Sequence, residues 1–284
     1  MNLKDVSIAE RKKLVSHWPI LIIGSPGSGK TRAIENMSAE DKKRTIVINM
    51  DTKNIGNGEE GEFAAVFSVS SNKDMLEARL QSIPDDQKEY KEHFLKVLKS
   101  SYFINDPESI DKLVNHIIKA SFSPNIDRIV LDTFKSLDVF CEEWGQMNAP
   151  DSRAGWGMYG TALSKVMQAL KEASILGLKF VYVYGHHIEV PASAYDNTPK
   201  KMPDVKGNIM KGAVESNFNT IVYMHRDIDG NILFESDVNN TNDTSRNKLV
   251  SGSFKFKRKS LDDLEQYLNS KATINENLEL EPVK

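Results

Sequence analysis

The sequence predicts an α/β protein with a mostly parallel central sheet, helices on both faces and an antiparallel hairpin at its C-terminal edge. Three observations carry this. Short apolar runs of strand length alternate with stretches of helical periodicity. A glycine-rich loop joins the first such run to a helix. Asp229-Gly230, a tight-turn pair, separates two late apolar runs.

In chain order, Ser7 and Glu10 have capping-box spacing for a short helix that ends at Trp18-Pro19. Pro19 to Ile23 reads as a buried strand, and Lys30 to Met37 as a helix. Residues 45–51 (TIVINMD) and 64–69 (AAVFSV) read as strands. Residues 72–121 read as helices beside the sheet, with Asp106-Pro107 opening a run in which Ile110, Leu113, Val114, Ile117 and Ile118 share one face. Residues 126–132 (IDRIVLD) form a strand, and 141–157, rich in Trp, Gly, Asn and Pro, read as a loop. A helix over 158–176 and a strand over 178–184 (LKFVYVY) follow, then a loop over 188–207 with three prolines. Residues 220–224 and 231–234 form the hairpin, 253–258 a last strand and 261–268 a short helix. The reading is one domain over 1–270 with a helical insertion at 72–121, and a mobile tail over 271–284.

A chain of 284 residues can bury a substantial core, and 39% hydrophobic with 27% charged residues fits a soluble globular protein. The net charge of −3 excludes binding nucleic acid through overall basicity, so any such contact must come from local basic loops. A single cysteine, Cys141, excludes an intramolecular disulfide and a cysteine-based zinc site, and suits a reducing cytoplasm. No apolar run is long enough to span a bilayer, so no membrane role is expected.

The chemistry concentrates in Gly24-Ser25-Pro26-Gly27-Ser28-Gly29-Lys30-Thr31, which matches G-x-x-x-x-G-K-[ST]. Glycines let successive amides curl around phosphates, and the helix that follows turns its positive end toward them. Lys30 adds a full charge for the β and γ phosphates, the Thr31 hydroxyl is a Mg²⁺ ligand, and Arg32 completes the nucleotide-binding run. Such a site needs a carboxylate at the end of a neighbouring strand for the metal's shell. Asp132 has that position, although it can equally cap the following helix. Asp51, ending the second strand, and Glu59, Glu60 and Glu62 in the next loop are candidates to orient the attacking water.

In this order the motifs resemble the RecA-like P-loop NTPase core, and more narrowly the short RecA-like ATPases of phage recombination systems, of single-strand annealing type. The resemblance spans about residues 18–259. It implies a catalytic set of Lys30, Asp51, Asp132 and His186. His186, or His187 beside it, stands where the family carries a polar γ-phosphate sensor, usually glutamine, and Asp51 stands where RecA has glutamate. It also implies ATP and Mg²⁺ as cofactors, assembly into a ring or filament, location in the host cytoplasm if phage-encoded, and single-stranded DNA held by two loops.

The first of those loops carries Trp144, Arg153 and Trp156, and the second Tyr195, Lys200, Lys201 and Lys206. Aromatic faces for stacking and cations for phosphates are what single strands need, but tryptophans also pack in cores and lysines also serve as solvated surface. Lys255, Lys257 and Arg258 on the last strand can present charge to a neighbouring subunit's ATP, or defend a sheet edge. The alternatives are a hexameric helicase-like motor and an ATPase that remodels or loads a protein partner. No N-K-x-D guanine motif or arginine-rich lid points to a GTPase or nucleotide kinase.

Overall fold

The structure is a computed structural model that describes residues 19–51, 62–70, 73–193, 196–205, 217–218, 220–236, 246–247, 254–257 and 260–275. The short helix expected near Ser7 lies outside them, as do Glu59, Glu60, Tyr195, Lys206 and Arg258.

The elements are β1 (Ile20–Ile23), α1 (Lys30–Glu35), α2 (Ala39–Lys43), β2 (Thr45–Asn49), β3 (Ala65–Ser70), α3 (Lys73–Ser82), α4 (Lys88–Lys99), β4 (Ser101–Phe103) and α5 (Ser109–Ser121). Then come β5 (Arg128–Asp132), α6 (Phe134–Asn148), α7 (Ser152–Leu176), β6 (Phe180–Gly185), β7 (His187–Ser193), β8 (Asp196–Pro203), β9 (Thr220–Arg226), β10 (Ile232–Ser236), β11 (Arg246–Asn247), β12 (Phe254–Lys257) and α8 (Leu261–Asn275). The main sheet runs β12-β10-β9-β1-β6-β5-β2-β3-β4, with β11 also on β9. Every pairing from β9 to β4 along this path is parallel, and β10 and β12 add the expected antiparallel edge. This is the RecA-like P-loop NTPase arrangement: one strand, β6, separates the strand that feeds the phosphate loop from the strand that ends in Asp132.

Strand alternation divides the core. Leu21, Ile23, Ile129, Leu131, Val181 and Val183 face α5, α6 and α7. Ile20, Ile22, Val130, Tyr182, Tyr184 and Val222 face α1 and α8. Because the central strands are buried on both faces, they read in the sequence as continuous apolar runs.

Several expectations are corrected. Residues 141–157 are not a loop: α6 runs through Asn148, and α7 begins at Ser152 with the Asp151 side chain capping the Ala154 amide. Gly145 and Gly155 are contact points between the two helices, whereas a Cβ on Gly157 would meet nothing within 4 Å. A Cβ on Gly145 would stand 2.7 Å from the Gly155 carbonyl oxygen and 2.9 Å from the Tyr159 nitrogen, so only glycine lets the two backbones approach. Residues 188–207 are likewise not all loop, because β7 and β8 pair as an antiparallel ribbon off the main sheet, with Pro191 opposite Pro199 and a bulge beside it. Proline is tolerated there because a two-stranded ribbon consists of edges. Within 72–121 the chain is helical apart from β4, which pairs with β3 and extends the sheet. Residues 271–275, expected to be mobile tail, continue α8.

Beside β3, a cluster reports on pH. The Tyr102 hydroxyl and His116 Nδ1 are 2.9 Å apart, and the Phe67 ring stacks on the imidazole at 4.5 Å. Burial, with a smaller contribution from Lys119, lowers the His116 pKa below its ordinary value. The unfolded chain therefore binds a proton more readily. The stability contribution is complete above the ordinary imidazole pKa and is lost as pH falls through the lowered one. The thermal midpoint should fall between pH 7.5 and 5, and fall less in His116→Gln. Equal slopes in the two proteins would contradict this reading.

Candidate active site

The site lies at the C-terminal ends of the parallel strands. Residues 24–29 form a loop between β1 and α1, and Gly24 donates its amide to the Gly185 carbonyl at 3.1 Å. A Cβ on Gly24 would lie 2.3 Å from the Met224 carbonyl oxygen, so the first glycine of the motif is required by the passage of β9. Gly29, at φ 100°, turns the chain into α1 in a left-handed conformation. Ser25, Pro26 and Gly27 are exposed, and Ser28 is buried. The Lys30 side chain folds back over the loop and is 6% exposed. Its Nζ donates to the Gly24 carbonyl at 2.7 Å, the Ser25 carbonyl at 3.0 Å and Ser28 Oγ at 3.3 Å. Arg32 is exposed on α1.

Across 101 residues of chain, the Thr31 hydroxyl donates to Asp132 Oδ2 at 3.0 Å. Asp132 ends β5 and is 1% exposed. Thr133, not Asp132, caps α6, accepting from the Ser136 amide at 3.3 Å, and this leaves the Asp132 carboxylate to face Thr31. The Asp132 carboxylate thus stands beside the phosphate loop.

Asp51 follows β2 at the same edge of the sheet. The Met50 amide donates to the Asp132 carbonyl at 2.6 Å, and Ser136 Oγ donates to Asp51 Oδ1 at 3.1 Å. Thr133 Oγ1 lies 3.1 Å from Ser136 Oγ, so Asp51 is tied to the residue after Asp132. His186 follows β6, half-buried, and its carbonyl accepts the Asp204 amide at 2.8 Å. Asp204 in turn pairs with Lys135 in the first turn of α6 at 2.9 Å, which fixes the base of the β7–β8 ribbon to the helix following Asp132.

Three participants escape sequence reasoning. In register across the strands, Tyr184, Asp132 and Asn49 are neighbours on one face. Asn49 is a lone polar residue in an apolar run and is 4% exposed, a signal the sequence did contain. Burial, with the Asp132 charge adding to it, pushes the Tyr184 phenol well above its ordinary pKa, so it is a proton donor at neutral pH. Its buried hydroxyl has no hydrogen-bond partner among the described residues. Ser136, which positions Asp51, is the third.

The Thr31 hydroxyl and the Asp132 carboxylate, side by side, are hard oxygen donors of the kind that suit Mg²⁺. No cluster of three or more His, Cys, Asp or Glu side chains suited to a metal occurs among the described residues.

The residues expected to contact DNA separate. Trp144 is 9% exposed and its indole N–H donates to the Asp106 carbonyl at 2.9 Å, so it is a core residue of α6, correcting the expectation that it stacks on bases. Trp156 is 48% exposed, and Arg153 is exposed three residues earlier on α7. Lys200 and Lys201 lie on β8, and Lys255 and Lys257 on β12.

The AAA domain family profile matches residues 16–250, which covers the phosphate loop, β5 and the hairpin. The chain belongs to this family. Among solved structures, this AAA domain protein is similar to a KaiC-like protein from the hyperthermophilic archaeon Pyrococcus horikoshii. Identity is 12%, with 77% of this chain and 76% of that one covered, at a TM-score of 0.35. It is also similar to the RadB recombinase, at 13% identity, with 77% and 81% covered and a TM-score of 0.36. No curated protein matches it. No helix among the described residues of this AAA domain protein is long and apolar enough to cross a membrane.

Proposed function

We propose that the chain is a Mg²⁺-dependent ATPase of RecA-like type that binds single-stranded DNA and supports recombination or annealing, assembling as a ring or filament. The short phage proteins that the sequence resembles suggest that setting. The observation that carries the ATPase reading is the 3.0 Å contact between Thr31 and Asp132 beside the Lys30 loop. Residues 24–32 grip the phosphates. Thr31 and, through its shell, Asp132 would hold Mg²⁺, which would supply charge neutralisation at the phosphate oxygens. Asp51, held by Ser136, orients the attacking water, and His186 reports on the terminal phosphate. The chain's contribution is positioning and charge stabilisation without covalent catalysis.

The DNA reading is supported by Trp156 and Arg153, an exposed ring and an exposed cation three residues apart on one helix face. Lys200 and Lys201 on β8 add to it, Tyr195 and Lys206 are proposed to join them, and Lys255, Lys257 and Arg258 are proposed to act on a neighbouring subunit's nucleotide. A second reading, an ATPase that loads or remodels a protein partner, is favoured by a different fact: Trp156 also lines a groove of about 850 Å³ between α5 and α7. Phosphate release measured with and without single-stranded DNA separates the two. DNA should raise the rate several-fold, and Trp156→Ala should lose most of that increase, because stacking contributes about 1–3 kcal/mol per base. A rate indifferent to DNA in both proteins would remove the DNA reading and leave the protein-partner one.

A further inference from the structure

We propose that Arg226 is a nucleotide-binding residue that grips the α-phosphate of ATP from the side of the site opposite Asp132. This rests on the phosphate-loop reading above and adds to it a residue outside the motif.

The argument begins with strand parity. Along β9, Val222 and Met224 face α1, so Arg226, two residues further, leaves the C-terminal end of the strand on that same face. β9 lies parallel to β1 and in register with it, so the C-terminal end of β9 is beside the phosphate loop. The packing bears this out at both ends of the loop. The Met224 carbonyl stands against Gly24, and Arg226 Nη2 lies 3.6 Å from the point a Gly29 Cβ would occupy. Ile232, paired with Arg226 on β10, closes over Gly29 at 3.0 Å from that same point.

Arg226 is exposed and makes no ion pair or side-chain hydrogen bond with the described residues. The nearest carboxylate in sequence, Asp227, is committed to the turn, accepting from the Asp229 amide at 3.0 Å, the Asn231 amide at 2.9 Å and the Asn231 side chain at 3.0 Å. That turn fixes the end of the hairpin and hence the root of the Arg226 side chain. An uncommitted guanidinium held at the rim of a phosphate cradle has the fork geometry that suits two phosphate oxygens.

Its position selects which phosphate. Thr31 and Asp132, the proposed metal side, lie toward β6 and β5, whereas β9 is on the other flank of β1. Mg²⁺ held by Thr31 and Asp132 would supply its charge neutralisation toward the terminal phosphates. A cation on the opposite flank therefore meets the end nearer the base, a group that ATP and ADP share.

The test is titration calorimetry on the full chain with Mg²⁺, using ADP and a non-hydrolysable ATP analogue as probes. Arg226→Ala should weaken both by the same factor, about tenfold for loss of a charged hydrogen bond, and Arg226→Lys should fall between. Loss for the analogue with ADP unaffected would place the guanidinium on the terminal phosphate and overturn the proposal. Unchanged affinity for both would overturn it too. Lys30→Ala, run alongside, separates the two ideas. If it alone weakens binding, the phosphate-loop reading stands and the Arg226 proposal falls. If neither variant changes binding, the phosphate-loop reading itself falls.

Discussion

Lys30→Ala should retain the fold and lose ATP hydrolysis by about two to three orders of magnitude, the effect of removing one preorganised charge at a transition state. The side chain is nearly buried, and its ammonium is already held by two loop carbonyls and Ser28 Oγ. It therefore needs little reorganisation to exchange those acceptors for phosphate oxygens, and it does so where water is excluded and a charge acts more strongly than in solvent. Phosphate release at saturating Mg-ATP, with a melting curve as control, checks both halves. Turnover within threefold of wild type would remove the phosphate-loop assignment and everything built on it.

The parts of the site legible in the sequence are those where chemistry constrains residue type at fixed spacing. The loop is legible because a backbone cradle needs glycine where β9 approaches at Gly24 and where φ turns positive at Gly29. Asp132 is legible as a strand-end carboxylate, but that it faces Thr31 while Thr133 caps the following helix shows only in the structure. Tyr184 and the proposed role of Arg226 were hidden because they come from register between strands far apart in sequence, and alternation within one strand does not specify its neighbours.

Composition also misled. Trp144, Gly145 and Gly155 made residues 141–157 look like a binding loop. The tryptophan fills the core and the glycines are small so that α6 and α7 can touch. A glycine demanded by close packing and one demanded by a turn are the same letter, and only the partner helix distinguishes them. The prolines of the β7–β8 ribbon failed in a similar way: proline argues against a central strand, but not against a ribbon made of edges.

The largest stability effect should come from the opposite end of β5. Arg128 opens that strand, and its Nε and Nη2 donate to Glu265 Oε1 and Oε2 on α8 at 2.5 and 2.6 Å. The Tyr182 hydroxyl donates to Glu265 Oε1 at 3.1 Å, and Asp41 Oδ1 lies 2.6 Å from Arg128 Nη2. Burial works against the charge on Arg128, but Glu265 outweighs it, and the guanidinium stays above its ordinary pKa. Glu265→Ala removes the two-pronged carboxylate from that buried cation, leaving Asp41 and the more distant charge of Asp262, and should cost about 3–5 kcal/mol, read as a lower urea midpoint at unchanged slope. Replacing both partners with apolar residues of similar size, Arg128→Met with Glu265→Leu, should recover most of the loss, because the cost comes from the unpaired charge and the pair itself adds little. A single-variant loss below about 1 kcal/mol would mean that water reaches the pair. The consequence extends to the nucleotide site. Leu261, Leu264 and Leu268 of α8 share one buried cluster with Ala33 and Ile34 of α1, so loosening α8 at Glu265 withdraws support from the helix that carries Lys30 and Thr31. Glu265→Ala should therefore also weaken nucleotide binding at temperatures where the rest of the sheet is still folded.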